Sequence, residues 1–121
     1  MRGLPLTVIE TAPFLKAAER LLAETEQDAL KWFLAMNPEA GDIIPETGGV
    51  RKLRWSLQGR GRRGGSRVIY YFASRAYPVF LLDIFAKNVR IDLTAAERKR
   101  YRASVKMLTD ALRSTHRSNM G

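Results

Sequence analysis

The sequence contains no cysteine and only one histidine, His116, which lies in a polar stretch from residue 113 to residue 121. The absence of cysteine excludes a disulfide framework, a thiolate metal site and a cysteine nucleophile. One histidine cannot form the histidine pair that acid–base catalysts commonly use, and carboxylates alone are not the usual ligands of zinc. We therefore expect neither a metal site nor another cofactor.

Long apolar runs are also missing. No run approaches the roughly 20 residues that a membrane-spanning helix needs, so we expect no association with a membrane. Glu10 and Pro13 interrupt the first apolar stretch, which does not resemble a secretory signal peptide. With 121 residues, 45% of them hydrophobic, the chain can build one core. We expect a single cytoplasmic domain over residues 1–121, with residues 113–121 as a flexible tail.

Acidic residues are absent from the middle third of the chain. Between Thr47 and Leu82 there are eight positive side chains and no negative one, whereas the rest of the chain has 13 positive and 12 negative residues. Nearly all of the net charge of +9 is therefore concentrated in this segment. An uncompensated cluster of this size indicates an anionic partner, because like charges crowded on neighbouring strands cost stability.

The periodicity of apolar residues predicts two helices before the basic segment and one after it. The first follows Pro13, and the second begins near Thr25, buries Trp32 and Phe33, and stops at Asn37-Pro38. Thr94 with Glu97 predicts a capping box that begins the third helix. The apolar stripe of that helix comprises Tyr101, Val105, Leu108 and Leu112.

Three strands are predicted between these helices, over residues 50–57, 67–72 and 79–85, and a short strand is possible at residues 7–10. Their short connections favour an antiparallel meander. The fold class is therefore α+β, with two N-terminal helices and a C-terminal helix packed on a small antiparallel sheet. The last predicted strand is almost wholly apolar, which is typical of a strand covered on both faces.

Cations of the three strands are predicted to converge on one surface. Residues two apart on a strand point to the same face, so Lys52 and Arg54 lie together. Arg67 begins the next strand, and Lys87 follows the third strand on the same side as Phe85. Phosphate is the favoured anion, because the guanidinium fork matches phosphate oxygens and the segment has seven arginines and one lysine.

The loop between the first two strands, Gly59–Gly65, alternates glycine with arginine. Glycine allows the backbone to come close to a ligand, so we expect this loop to bind nucleic acid. The predicted RNA-binding residues are Arg51, Arg60, Arg62 and Arg63. The loop lacks the Lys-Ser/Thr ending of a nucleotide-binding P-loop.

RNA carries its own nucleophile, the 2′-hydroxyl, so a cationic site can cleave it by aligning that group with the adjacent phosphate. Arginine is a poor acid or base at neutral pH. The candidates for proton transfer are Lys52, Lys87, Tyr70 and Tyr71, although both tyrosines also suit packing within the sheet.

Three stretches together resemble the RelE/ParE superfamily of type II toxins, and most closely its HigB-like branch. These are GGVRKLRW, then GRGRRGGSRVIYYF, then LLDIFAKN followed by DLT, and the resemblance covers about residues 41–112. It implies a small sheet with two N-terminal helices and a ribosome-dependent endoribonuclease that cuts mRNA. It also implies a cognate antitoxin, often with a helix-turn-helix part, through which alone the complex binds operator DNA.

By position, the resemblance assigns the family's catalytic cations to Lys52, Arg54, Arg67 and Lys87. The sequence departs from some RelE-type enzymes after Lys87, where a second arginine and a later catalytic tyrosine are replaced by Asn88 and, roughly, Thr94. Tyr71 is the candidate substitute for that tyrosine.

Two alternatives remain open at this point. A ParE-like toxin of the same fold would inhibit DNA gyrase, although that activity does not need cations on the inner strands. A non-catalytic module would bind RNA or DNA with a steep salt dependence and no cleavage. A supercoiling assay and the mapping of mRNA ends separate these alternatives from the ribonuclease.

Overall fold

A computed structural model describes residues 4–56, 65–87 and 92–120, with side chains described as far as residue 115. The described residues form five strands and three helices in the order β1–α1–α2–β2–β3–β4–β5–α3. The strands are β1 (Val8–Glu10), β2 (Asp42–Ile43), β3 (Val50–Ser56), β4 (Gly65–Tyr71) and β5 (Val79–Ala86). The helices are α1 (Ala12–Leu21), α2 (Glu24–Met36) and α3 (Ala95–Met120). The predicted α+β class is confirmed.

The strands form one sheet in the order β1-β5-β4-β3-β2. The predicted meander is confirmed for β3, β4 and β5, which pair antiparallel in sequence. The sheet as a whole is mixed, because β1 pairs parallel with β5, with Val8 opposite Val79. The chain reaches this arrangement because α1 and α2 carry it from β1, at one edge, across one face of the sheet to β2, at the other edge.

The first core lies between the sheet and helices α1 and α2. Its buried residues include Phe14 and Ala18 of α1, Leu30 and Leu34 of α2, and Val68 of β4. Leu53 and Trp55 of β3 also pack on it, and the Trp55 ring lies 5.5 Å from that of Phe33. The predicted alternation of β3 is therefore confirmed, since these apolar side chains leave Lys52 and Arg54 to the opposite face.

The second core lies on the other face of the sheet, beneath α3. Val105 of the helix is buried there with Ile69, Tyr71 and Phe85 of the sheet. The predicted stripe of α3 is confirmed, since Tyr101, Leu108 and Leu112 pack against the same cluster. With a core on each face, β5 is covered on both sides, as its apolar sequence predicts.

The start of α3 is fixed by the predicted capping box. The Thr94 backbone N–H donates to Glu97 Oε1 at 2.9 Å, and the Glu97 N–H donates to Thr94 Oγ1 at 3.1 Å. These bonds satisfy two donors that a helix N-terminus otherwise leaves without partners. The segment before the helix is thereby held against the sheet, where Leu93 is buried.

Helix α2 begins within one residue of its predicted start but differs from its prediction in its buried face. It begins at Glu24, where the Ala23 N–H donates to the Glu26 carboxylate at 2.8 Å. Leu30 is fully buried, whereas the predicted core residue Trp32 is 63% exposed. The near-continuous apolar sequence of this helix, ALKWFLAM, does not distinguish one face from another.

The connection from α2 to β3 is held close to the sheet by Tyr70. Its hydroxyl donates to the Pro38 carbonyl and accepts the Gly41 N–H, each at 2.8 Å. A Cβ at Gly41 would lie 2.9 Å from the Lys52 carbonyl oxygen, so glycine permits this approach. Burial raises the pKa of the Tyr70 hydroxyl, which keeps it protonated as a donor. Tyr70 therefore has the packing role, one of the two roles that the sequence leaves open for it.

In the part of the chain that the structure describes, no helix is long and apolar enough to span a bilayer. The helix α3 continues to Met120. Residues 113–120, which we expect from the sequence to be a flexible tail, therefore extend this helix. They contain neither glycine nor proline, the residues that most often end one.

Candidate RNA-cleavage site

The register between β3 and β4 places two arginines opposite each other. Arg54 pairs with Arg67, and Lys52, two residues earlier, pairs with Ile69. Lys52, Arg54 and Arg67 therefore lie on one face of the sheet, on the side of α3. Like charges directly opposite each other on adjacent strands are destabilising, so this register is unfavourable unless an anion binds there.

Arg67 is the most deeply placed cation of the group. It lies on the central strand β4, its partner on β5 is Phe85, and only 8% of its surface is exposed. One of its guanidinium N–H groups donates to the Ser66 carbonyl at 3.3 Å. Among the described residues, no carboxylate lies within salt-bridge distance of Arg54 or Arg67. A buried cation without a counter-charge costs free energy, which an anionic ligand recovers.

Two clefts open beside this arginine pair. The larger, about 460 Å³, is lined by Lys52, Arg54 and Arg67, together with Ala40, Asp42 and Leu53. The smaller, about 140 Å³, adjoins it and is lined by Arg54, Arg67 and Lys87, together with Trp55, Ser56, Gly65 and Ser66. Arg54 and Arg67 line both clefts, so the structure brings together the four cations that the sequence predicted to converge.

Lys87 is positioned by the end of the sheet. Its backbone N–H donates to the Gly65 carbonyl at 3.0 Å, which extends the β4–β5 ladder by one residue. Its side chain is exposed and runs past Gly65, where an added Cβ would lie 3.8 Å from the Lys87 Cδ. The lysine amine can therefore reach a ligand in the smaller cleft while its stem packs along the strand end.

No protein-family model matches the sequence. Among solved structures, the chain is similar to the toxin RelE of E. coli, which was solved as a mutant in the free state. The TM-score is 0.50 at 16% sequence identity, and the match covers 71% of this chain and 87% of that chain. The chain has a RelE-like fold. The fold that the sequence resemblance implies is thereby confirmed.

On this RelE-like fold, Tyr71 lies away from both clefts. It is 6% exposed, packs in the core under α3, and its hydroxyl lies 3.2 Å from Thr109 Oγ1. The structure therefore does not bring Tyr71 to the cations with which the sequence grouped it. Distance along the strand explains this, since Tyr71 and Arg67 share a face but are four residues apart on β4, with Ile69 between them.

The predicted RNA-binding arginines are only partly described. Arg51 donates to the Gly41 carbonyl at 2.8 Å and to the Glu39 carbonyl at 3.2 Å. These bonds hold the connection between α2 and β2 in place, on the face of the sheet opposite Lys52. The other three, Arg60, Arg62 and Arg63, lie outside the described residues.

The structure adds two residues that the sequence did not indicate. Asp92 Oδ1 lies 3.2 Å from Lys52 Nζ, and Asp92 Oδ2 lies 3.5 Å from the Arg98 guanidinium. The Leu93 N–H bonds to the same carboxylate at 2.8 Å and, with Lys52 and Arg98, holds the pKa of Asp92 below its ordinary range. In the sequence, Asp92 stands just before the capping box, in the DLT stretch of the family resemblance, and no local pattern links it to Lys52.

The site contains no evident metal centre. Within residues 4–56, 65–87 and 92–115, no group of three or more histidine or carboxylate side chains could hold a metal ion. The four cations of the two clefts can bind phosphate, stabilise developing negative charge and, through a lysine, transfer a proton.

Proposed function

We propose that this protein is the toxin of a type II toxin–antitoxin system, of the HigB-like branch, and that it cleaves mRNA on the ribosome. The observation that carries the proposal is the convergence of Lys52, Arg54, Arg67 and Lys87 on two adjoining clefts. The RelE-like fold supports it, as does the sequence resemblance in the segments that hold these residues.

The reaction follows from the charge of the site. The 2′-hydroxyl of the RNA attacks the adjacent phosphorus, a P–O2′ bond forms and the P–O5′ bond breaks. The products are a 2′,3′-cyclic phosphate and a 5′-hydroxyl, and the proton lost by the 2′-hydroxyl is balanced by one gained at O5′. Arg67, buried between two strands, is placed to bind the scissile phosphate, and Arg54 opposite it adds charge for the transition state.

Proton transfer falls to the lysines. Lys87 reaches the smaller cleft and Lys52 the larger, so they flank the arginine pair from two sides. A lysine ammonium on one side can donate a proton to the leaving O5′. With no histidine among the cleft residues, we expect slow cleavage of free RNA. The ribosome would supply the in-line alignment that the site itself does not impose.

The proposed partners are a cognate antitoxin, the ribosome and its mRNA. A HigA-like antitoxin with a helix-turn-helix part would neutralise the toxin and bind operator DNA for the complex. The arginines of the loop between β3 and β4 would contact ribosomal RNA, since a glycine-rich basic loop suits phosphate contacts without base specificity.

Growth and mRNA integrity on induced expression test this proposal. Wild type should arrest growth and produce new mRNA ends within codons. Arg67→Ala should relieve both effects, and Arg67→Lys should relieve most of them, because lysine keeps the charge but loses the fork. Arg75→Ala, which removes an exposed cation from a turn outside both clefts, is the matched control and should remain toxic. Normal growth with confirmed expression of folded wild type would contradict the proposal.

One observation favours a second candidate, a non-catalytic RNA-binding module. Tyr71 is buried under α3 rather than in a cleft, which removes the tyrosine that the sequence suggested for proton transfer. Such a module would bind RNA with steep salt dependence and leave every mRNA end unchanged, so the same mapping experiment distinguishes it.

A further inference from the structure

The carboxylate of Asp92 is held by two cations from different elements. Lys52 projects from β3 and Arg98 from the first turns of α3, and each binds a different oxygen of Asp92, at 3.2 Å and 3.5 Å. The side chains of Lys52 and Arg98 are 29% and 30% exposed, and that of Asp92 is 45% exposed. Lys52 and Arg98 therefore form an anion site that is open to solvent. The anion bound there is the carboxylate of the chain's own Asp92.

Arg98 has binding capacity that this contact does not use. Its Nε is buried and therefore out of reach of a ligand, so any added contact must come from the terminal nitrogens of this 30% exposed side chain. The guanidinium has five N–H donors, and Asp92 engages one terminal nitrogen at the long limit of a hydrogen bond. A tetrahedral phosphate, with more oxygens than a carboxylate, can engage Arg98 and Lys52 together more fully.

The position of this site extends the proposed cleft. Lys52 lines the larger cleft with Arg54 and Arg67 and also binds Asp92. An RNA strand with its scissile phosphate at Arg67 therefore meets Lys52 first and Arg98 next, in the direction of α3.

We propose that Lys52 and Arg98 form a second RNA-phosphate site, that Asp92 occupies this site in the free protein, and that a backbone phosphate displaces Asp92 when RNA binds. This inference rests on the proposed function, and it adds Arg98 as a phosphate-binding residue and Asp92 as an internal competitor. Asp92 lowers the affinity of the free protein for RNA, because a phosphate that enters the site must first break the ion pairs of Asp92 with Lys52 and Arg98.

Displacement, rather than protonation, is the route by which the site opens. The bond from the Leu93 N–H and the two cations hold the pKa of Asp92 below its ordinary range, so the carboxylate is ionised at neutral pH. At neutral pH an incoming phosphate therefore competes with a charged carboxylate and not with a protonated acid.

Asp92→Asn is the direct test, because asparagine retains an oxygen that can accept the Leu93 N–H but loses the charge. Binding of a fluorescein-labelled single-stranded RNA oligonucleotide is measured by anisotropy over a range of salt concentrations. Asp92→Asn should bind about fivefold tighter than wild type, the effect of losing a partly exposed ion pair. Its salt dependence should match that of wild type, because both proteins make the same phosphate contacts once RNA is bound. Adding Arg98→Ala to Asp92→Asn should abolish the gain in affinity and reduce the slope by about 0.7, because one phosphate contact is lost.

Asp110→Asn is the matched control. It removes the same charge from the exposed Lys106–Asp110 pair on α3, so it reports the general effect of raising the net charge. An equal gain in Asp110→Asn, an unchanged affinity in Asp92→Asn, or no measurable RNA binding by either folded protein would overturn the inference. Circular dichroism establishes that each variant is folded.

The failure of this inference is distinguishable from that of the proposed function. Tighter binding by Asp92→Asn in a protein that never cleaves mRNA supports the phosphate site and refutes the ribonuclease. Cleavage by wild type, with no change in affinity in Asp92→Asn, supports the ribonuclease and refutes the phosphate site.

Discussion

At the scale of single residues, the arrangement of cations that suits anion binding also lowers the stability of the fold. Arg54 lies opposite Arg67 across β3 and β4, and cross-strand like charges cost a few tenths of a kcal/mol to about 1 kcal/mol. Sequence alternation predicted that both belong to the cation group. It could not predict that they are direct partners, because the register depends on the connection between the strands.

Replacing one arginine of this pair should stabilise the fold while removing activity. Arg54→Gln should raise the free energy of unfolding by about 0.5 kcal/mol, because it removes the repulsion at an exposed position. Urea denaturation measures this change. Arg54→Lys keeps the charge and is the control that should show no gain. A loss of stability in Arg54→Gln would show that the two guanidinium groups do not repel.

Asp92 makes stability depend on pH in a defined direction. Its pKa in the folded protein lies below the ordinary value of 3.8, so its ionised form stabilises the fold above that pH. The contribution is lost as the pH falls through the folded-state pKa. Near neutral pH, Asp92→Asn should lower the free energy of unfolding by no more than about 1 kcal/mol, since the pair is partly exposed and screened. The difference should vanish in acid, and a difference that grows in acid would contradict this account.

At the scale of elements, sequence reasoning succeeded where local signals exist. The Thr94–Glu97 capping box and the alternation of β3 depend on neighbours within a few residues, and both are confirmed. The parallel pairing of β1 with β5 joins residues about 70 positions apart, and no local pattern encodes it. The ion pair between Lys52 and Asp92 was missed for the same reason, since it links residues 40 positions apart.

Helix α2 provides a test of whether burial or side-chain size determines the stability cost of a substitution. Leu30 is fully buried in the first core, whereas the larger Trp32 is 63% exposed. Leu30→Ala should therefore destabilise by about 2–5 kcal/mol through lost burial and a cavity. Trp32→Ala should cost much less, about 1 kcal/mol or below. Urea denaturation of both variants measures this, and a larger loss in Trp32→Ala would mean that α2 packs on its other face.

At the scale of the whole molecule, the distribution of charge along the chain is itself a signal of function class. The excess of arginine in the middle third predicts an anionic partner. The fold places these side chains in different parts of the molecule. Arg54 and Arg67 border both clefts, Lys52 and Lys87 flank them, and Arg51 braces a connection on the opposite face. The packing of Tyr71 under α3 could not be predicted, because strand periodicity places a tyrosine on a face of the sheet without determining which side chains on that face it contacts.

The measurement that tests the central claim most directly uses purified protein and ribosomes programmed with a defined mRNA. Primer extension locates the cuts, and the chemistry of the new ends is determined. Wild type should cut within the codon at the decoding site and leave 2′,3′-cyclic phosphate and 5′-hydroxyl ends. Arg67→Lys should cut about 100-fold more slowly, as expected when one transition-state donor is lost. Intact mRNA with folded wild type, or equal cutting by Arg67→Ala, would contradict the account.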